Sequence, residues 1–211
     1  MPDISIKIFQ LIVLYSSIVI HEVSHGMAAY KLGDPTAKLA GRLSFNPLKH
    51  IDPFGTVILP LLLVFSQSPF IICYAKPVPF NPNNFRDVKK GTILTGLAGP
   101  LSNIVLAIIF GLLIRLLSFF GLLSFDLLSL LSVIVFLNIL LALFNLAPFP
   151  PFDGHHLVFS LLPGELRGLK VFLSENSWIL MLVWIFIIFP SLLVPLVYQF
   201  SRIIIGGSIG L

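Results

Sequence analysis

Five stretches of this 211-residue chain are apolar for about 20 residues or more: roughly Ile4 to Tyr30, Phe54 to Ala75, Thr92 to Ser118, Leu127 to Leu146, and Trp178 to about Ile205. A bilayer core offers no water, so a segment that crosses it must satisfy its own backbone hydrogen bonds. Helices of about 20 residues do so, and helices are therefore expected over most of this chain. Composition points the same way. Of all residues 57% are hydrophobic and 10% charged, against about 25% charged in a typical soluble domain. A soluble fold of this size could not bury so much apolar surface. The expected architecture is an all-α integral membrane protein, a polytopic bundle of about four spanning helices in a single domain over residues 1–211. No internal repeat, low-complexity tract or appended soluble domain is visible.

The second stretch is unlike the others. "SQSP" (Ser66 to Pro69) interrupts it near the middle, and Pro60 lies within its first half. Two half-length arms around a polar turn predict a re-entrant hairpin rather than a span. Charge supports this. Basic residues gather in three loops: Lys31, Lys38, Arg42 and Lys49; Lys76, Arg86, Lys89 and Lys90; and Arg167 with Lys170. The short link between the third and fourth stretches has none. The positive-inside rule puts the three basic loops in the cytoplasm and the N-terminus outside. That is possible only if the second stretch enters and leaves on one side. The formal charge of +4 thus reads as a set of topology signals, not a nucleic-acid footprint. The first stretch lacks a basic leader and an A-x-A cleavage site, so it is expected to be a retained helix and not a signal peptide. The polar run Thr36 to Phe45 predicts a short β-hairpin around Gly41.

Ionisable groups inside a membrane helix are costly and mark function. Here they are His21, Glu22 and His25, in the pattern His-Glu-x-x-His. Positions four apart share a helix face, so both imidazoles can reach one ion, and Glu22 beside them is suited to accept the proton of an attacking water. His25 lies about six residues before Lys31, hence roughly 9 Å inside the cytoplasmic helix end. The single Cys73 excludes a cysteine-rich metal site, so further ligands must be His or carboxylate. A catalytic zinc usually has three protein ligands and an open position. Asp34 and Asp52 follow the first helix in a loop, Asp126 falls at the opposite face, and Glu165 and Glu175 read as solvated loop charges. Asp153 follows the fourth helix behind Pro148, Pro150 and Pro151, which unwind the chain and free it to turn inward. With the hairpin re-entrant, the first and fourth helices run parallel, and Asp153 arrives at about the depth of His25.

The motifs "HEVSH", "GDPTAKLAGRLSFNPLKHIDPFGT", "AGPLSN" and "NLAPFPPFDGHH", in that order, resemble those of the site-2 protease family, intramembrane zinc metalloproteases of peptidase family M50, in a compact form without a PDZ domain. The resemblance implies Zn2+ held by His21, His25 and Asp153, with Glu22 as catalytic base. It also implies a β-strand edge in residues 36–50 for pairing with an unwound substrate. Asn103 and Asn145 fall in family motifs, as substrate or oxyanion contacts or as helix-packing amides. "DGHH" stands where Asp-Gly-Gly-His is commoner, which makes His155 an extra imidazole for the site, as ligand or supporting partner. His156 and His50 read as solvated or structural. The expected activity is endoproteolysis of transmembrane segments or residual signal peptides. The expected partners are a transmembrane protein or peptide substrate and the lipid bilayer, and the expected location is the cell (inner) membrane, with the active site near the cytoplasmic side. A metal transporter would need ligands along a path. A non-catalytic binding relative would be expected to have lost Glu22. The prenyl-protein proteases take a downstream Glu as third ligand.

Overall fold

The computed structural model describes residues 4–66 and 73–207. Its regular elements are α1 (Ile4–Lys31), α2 (Thr36–Leu39), α3 (Leu59–Phe65), α4 (Val88–Phe119), α5 (Phe125–Asn145), α6 (Gly154–Leu161), α7 (Arg167–Glu175), α8 (Ser177–Val183) and α9 (Val194–Ile205), with short 3-10 and π turns between them. Among the described residues, four runs are long and apolar enough to cross a membrane: Ile4–Lys31, Val88–Phe119, Phe125–Asn145 and Ser177–Ile205. The last is continuous through a wide π-helical middle, Trp184–Leu193, around Pro190, which cannot donate a normal intrahelical bond. Helix α4 begins four residues before the expected Thr92, because the Asp87 carboxylate accepts the Lys90 N–H at 2.9 Å and carries its polar first turn.

The expected β-hairpin over Thr36 to Phe45 does not form, and no strand occurs among the described residues. Thr36–Leu39 is a single helical turn instead. Its start is set by the Asp34 carboxylate, which accepts both the N–H and the hydroxyl of Thr36. Gly41 does turn the chain, at φ 65°. The Arg42 N–H then donates back to Ala37 O at 2.9 Å, closing the helical turn rather than opening a ladder. The substrate-pairing strand edge expected over 36–50 is therefore also absent.

The chain packs as two compact units, Met1–Gly99 and Pro100–Leu211, whose boundary falls inside α4. In the first, α1 buries Leu14, Ile18, His21, His25 and Ala29, a face repeating every three or four residues. Gly26 belongs to that face. A Cβ there would stand 2.6 Å from Leu43 Cδ2 and 2.7 Å from Val78 Cγ1, so glycine permits the loops to lie directly on α1. The run Pro53–Phe65 is apolar and helical. Asp52 caps it, accepting from the N–H groups of Phe54 and Gly55 at 3.0 and 2.8 Å. The chain is back at that same end by Tyr74, whose N–H donates to Gly55 O at 3.2 Å and whose carbonyl accepts the Thr56 hydroxyl at 2.9 Å. The interruption expected at Ser66 to Pro69 lies, beyond Ser66, outside the described residues.

In the second unit Ala107, Ile114, Leu131, Val135, Ile139, Val197 and Ile205 form one apolar core from α4, α5 and α9. Arg115, on α4, meets the last turn of α9. Its Nε donates to Ile204 O at 2.8 Å and its Nη2 to Ile203 O, satisfying carbonyls that a helix C-terminus leaves unpaired. A second cluster joins Ala147, Phe149 and Phe152 to Phe144 and Trp184 beside the bend that carries Asp153.

Candidate metal centre

His21 and His25 project from one face of α1 and are 5% and 6% exposed. Their Nε2 atoms stand 3.0 Å apart. The Nδ1 of His25 lies 2.7 Å from the carbonyl oxygen of Thr95 on α4. A carbonyl can only accept, so Nδ1 carries a proton, which leaves Nε2 as the nitrogen that a metal would take. A hydrogen bond of this kind fixes the ring orientation that a metal-binding histidine needs.

The space in front of both nitrogens is kept by Gly99. A Cβ at that position would lie 2.4 Å from His25 Nε2 and 2.5 Å from His21 Nε2. Two nitrogens each ~2.05 Å from one tetrahedral zinc stand ~3.3 Å apart. The observed spacing and the gap at Gly99 suit such an ion. Glu22, half-buried on the same helix, turns to the side, where its Oε2 accepts the Val78 N–H at 2.8 Å.

Asp34, set aside in the sequence as a loop acid, proves fully buried. Gly33, at φ 111°, ends α1 and turns the carboxylate inward. One oxygen accepts from Thr36 N, the Thr36 hydroxyl and Asn84 Nδ2; the other accepts from Asn81 N at 2.7 Å. Burial alone would raise its pKa, but the bonds from Asn84, Thr36 and Asn81 outweigh it and hold the carboxyl below its usual range. Asp34 thus ties the end of α1 to residues 81–84. His50 is also fully buried, with Nε2 2.8 Å from Ser44 O, which makes it structural.

In the second unit, half-buried Asp153 stands at the N-terminal boundary of α6; its carbonyl accepts the His156 N–H at 3.0 Å, and its carboxylate does not cap that helix. Gly154 follows because a Cβ there would meet Leu146 O at 2.3 Å and Ala147 O at 2.5 Å; only glycine lets α6 start against the end of α5. The His155 Nδ1 lies 2.6 Å from Phe152 O, and the His155 and His156 rings lie 3.9 Å apart. Asn103 is fully buried and donates to Asn138 Oδ1 at 3.0 Å, a polar link between α4 and α5. Asn145 donates to Leu141 O of its own helix at 3.0 Å. Thr95 and Val78 went unnoticed in the sequence, and Gly99 stood there only as part of the motif "AGPLSN", with no role of its own. Only the Gly-Pro pair at 99 and 100 offered a local signal there.

Comparison with known proteins follows the same lines. The pattern of Peptidase family M50 matches residues 121–189. YwhC of Bacillus subtilis (strain 168), named as a zinc metalloprotease, is 37% identical over 185 residues, covering 85% of this chain and 81% of that protein. Rip2 of Mycolicibacterium smegmatis, also so named, is 26% identical over 176 residues, 83% of this chain and 65% of that protein. Rip2 of Mycobacterium tuberculosis (strain H37Rv) is 27% identical over 139 residues, 66% of this chain and 51% of its own length. No solved structure matches. Likeness to YwhC at this level over most of both chains, together with four apolar helices of spanning length, shows that the chain belongs to peptidase family M50 and is a multi-pass integral membrane metallopeptidase.

Proposed function

We propose that the chain is an intramembrane zinc endopeptidase that cuts transmembrane segments of membrane proteins or residual signal peptides. The observation that carries this reading is the pair of buried Nε2 atoms facing each other at 3.0 Å across the gap left by Gly99, within an apolar helix of spanning length and beside Glu22. Asp153, the acid that the sequence brings to the end of the fourth apolar stretch, is the residue we assign as third ligand beside His21 and His25. Zinc, when bound, supplies a Lewis acid for the scissile carbonyl and lowers the pKa of water towards ~7.

The chain's own residues do the rest. Thr95 O fixes the ring of His25, and Gly99 keeps the approach open. Glu22 accepts the proton of the attacking water and passes it to the leaving amine. Asn145 is the amide we assign to substrate, since Asn103 is fully buried and donates to Asn138. A helical substrate hides its amides in internal bonds and must unwind before it can react.

The segment Pro53–Phe65 does not cross the membrane but enters it from the side to which the chain returns. Thirteen helical residues reach ~20 Å, short of the ~30 Å core, and Tyr74 returns to Gly55. The three basic loops then face the cytoplasm of the cell (inner) membrane, with the site near that side. The test is cleavage of designed transmembrane substrates by the purified protein. Chelation should abolish it and added zinc restore it. Cleavage that survives both chelation and His21→Ala would sink the reading.

A further inference from the structure

The hydrogen bond on Glu22 comes from a segment built in an unusual way. Residues 76–80 read Lys-Pro-Val-Pro-Phe. Proline has no N–H, so the three residues Pro77, Val78 and Pro79 present a single donor, that of Val78. That donor goes to Glu22 Oε2 at 2.8 Å. The Lys76 N–H goes to His50 O at 2.9 Å. The Val78 side chain packs over Gly26, one turn from Glu22 on α1. Val78 is 5% exposed, so the donor side of the bond is withdrawn from water, while the Glu22 carboxylate is half-buried.

Arg42 fixes the segment from its other side. Its Nη2 donates to Lys76 O at 2.5 Å and to Pro77 O at 3.5 Å, while Nη1 donates to Lys49 O. One planar guanidinium therefore locks 76–77 against the turn that ends at His50. A lysine could reach one of these carbonyls but not hold all three.

We propose that Arg42 is a positioning residue for the general base. By fixing the Lys76–Val78 backbone, it sets where the Val78 N–H holds Oε2 and so aims Oε1 of Glu22 at the attacking water. This rests on the assignment of Glu22 as base. Arg42 touches neither His21 nor His25 in any of its bonds, so its effect is on kcat and not on metal content.

The experiment compares wild type, Arg42→Ala, Arg42→Lys and Glu22→Gln as full-length protein in detergent. It reads bound zinc, kcat and KM on a designed transmembrane substrate, and hydrogen exchange of the peptide spanning residues 74–80. A misplacement on the order of 1 Å costs up to about a hundredfold. Arg42→Ala is expected to lose about tenfold to a hundredfold in kcat, with KM within about twofold, zinc unchanged and exchange of Val78 faster. Arg42→Lys, which keeps the charge and one bond, should fall between it and wild type, and remains informative if the alanine variant does not assemble. An Arg42→Ala kcat within about twofold of wild type overturns the proposal, as does a loss that tracks zinc or KM. A faster Arg42→Ala overturns it too, by showing the segment to be a lid that must leave. Failure of the base assignment is read separately: Glu22→Gln then turns over normally, whatever Arg42 does.

Discussion

Glu22 stands between two buried histidines on α1, and these neighbours explain why the sequence revealed it. The His-Glu-x-x-His spacing is local: a helix alone places His21 and His25 on one face, so no tertiary information is needed. Thr95 and Gly99 could not be found that way, because their roles exist only once α4 lies against α1. Both groups are testable. Glu22→Gln keeps the shape and leaves the imidazoles untouched, so zinc should remain at about one ion per chain. The amide is not basic, and turnover should fall by 10²-fold or more, the usual contribution of a general base being about 10²–10⁴. Zinc analysis beside a cleavage assay separates the two effects; zinc lost with Glu22→Gln would instead make Glu22 a support of the site. Gly99→Ala is the converse. Its methyl would sit within 2.6 Å of both nitrogens, so zinc should drop to a small fraction of wild type while the helices still assemble. Full zinc occupancy in Gly99→Ala would remove the assigned ion position.

Elements were legible where hydrophobic length set them and illegible where side chains competed with the backbone. The four long apolar runs emerged within a few residues of expectation because nothing else can lie in a bilayer. The β-hairpin did not. The turn at Gly41 is real, but Asp34 captures Thr36 and Arg42 captures Lys49 O, Lys76 O and Pro77 O, so side chains replace the ladder. Asp34 is the element-scale keystone, joining α1, α2 and residues 81–84. Losing its bonds leaves buried donors unpaired at about 1–3 kcal/mol each, so Asp34→Ala should lower the unfolding midpoint by several degrees. The pH dependence follows from its lowered pKa. A carboxyl depressed in the folded state adds stability above its unfolded pKa, about 3.9, and loses that contribution as pH falls through the folded value. Thermal unfolding in detergent should therefore show wild type losing stability below about pH 4. Asp34→Asn should start lower and depend less on pH over that window. An unchanged acid slope in Asp34→Asn would place the sensitivity elsewhere.

At the scale of the whole molecule, topology is decided by a count of crossings. Four runs can span, and Pro53–Phe65 at ~20 Å cannot without stretching. If that segment turns back, residues 32–52, 76–87 and 146–176 share a side, residues 120–124 face the other, and all the loop lysines and arginines lie together. If it crossed, the two groups of four basic residues would face opposite sides, and α1 and α5 would run in opposite directions. His25 and Asp153 would then lie at opposite faces, and no His-His-Asp site could form. The ligand set we propose and the distribution of charge thus call for the same topology. Single cysteines in a Cys73→Ser background decide it. Ala40→Cys, Lys89→Cys and Gly168→Cys are all at exposed positions and should react with an impermeant thiol reagent only once the cytoplasmic face is opened. Leu122→Cys, in the link between α4 and α5, should react from outside in intact cells. Labelling of positions 40 and 89 from opposite sides would overturn the re-entrant hairpin, and Asp153 as third ligand would fall with it.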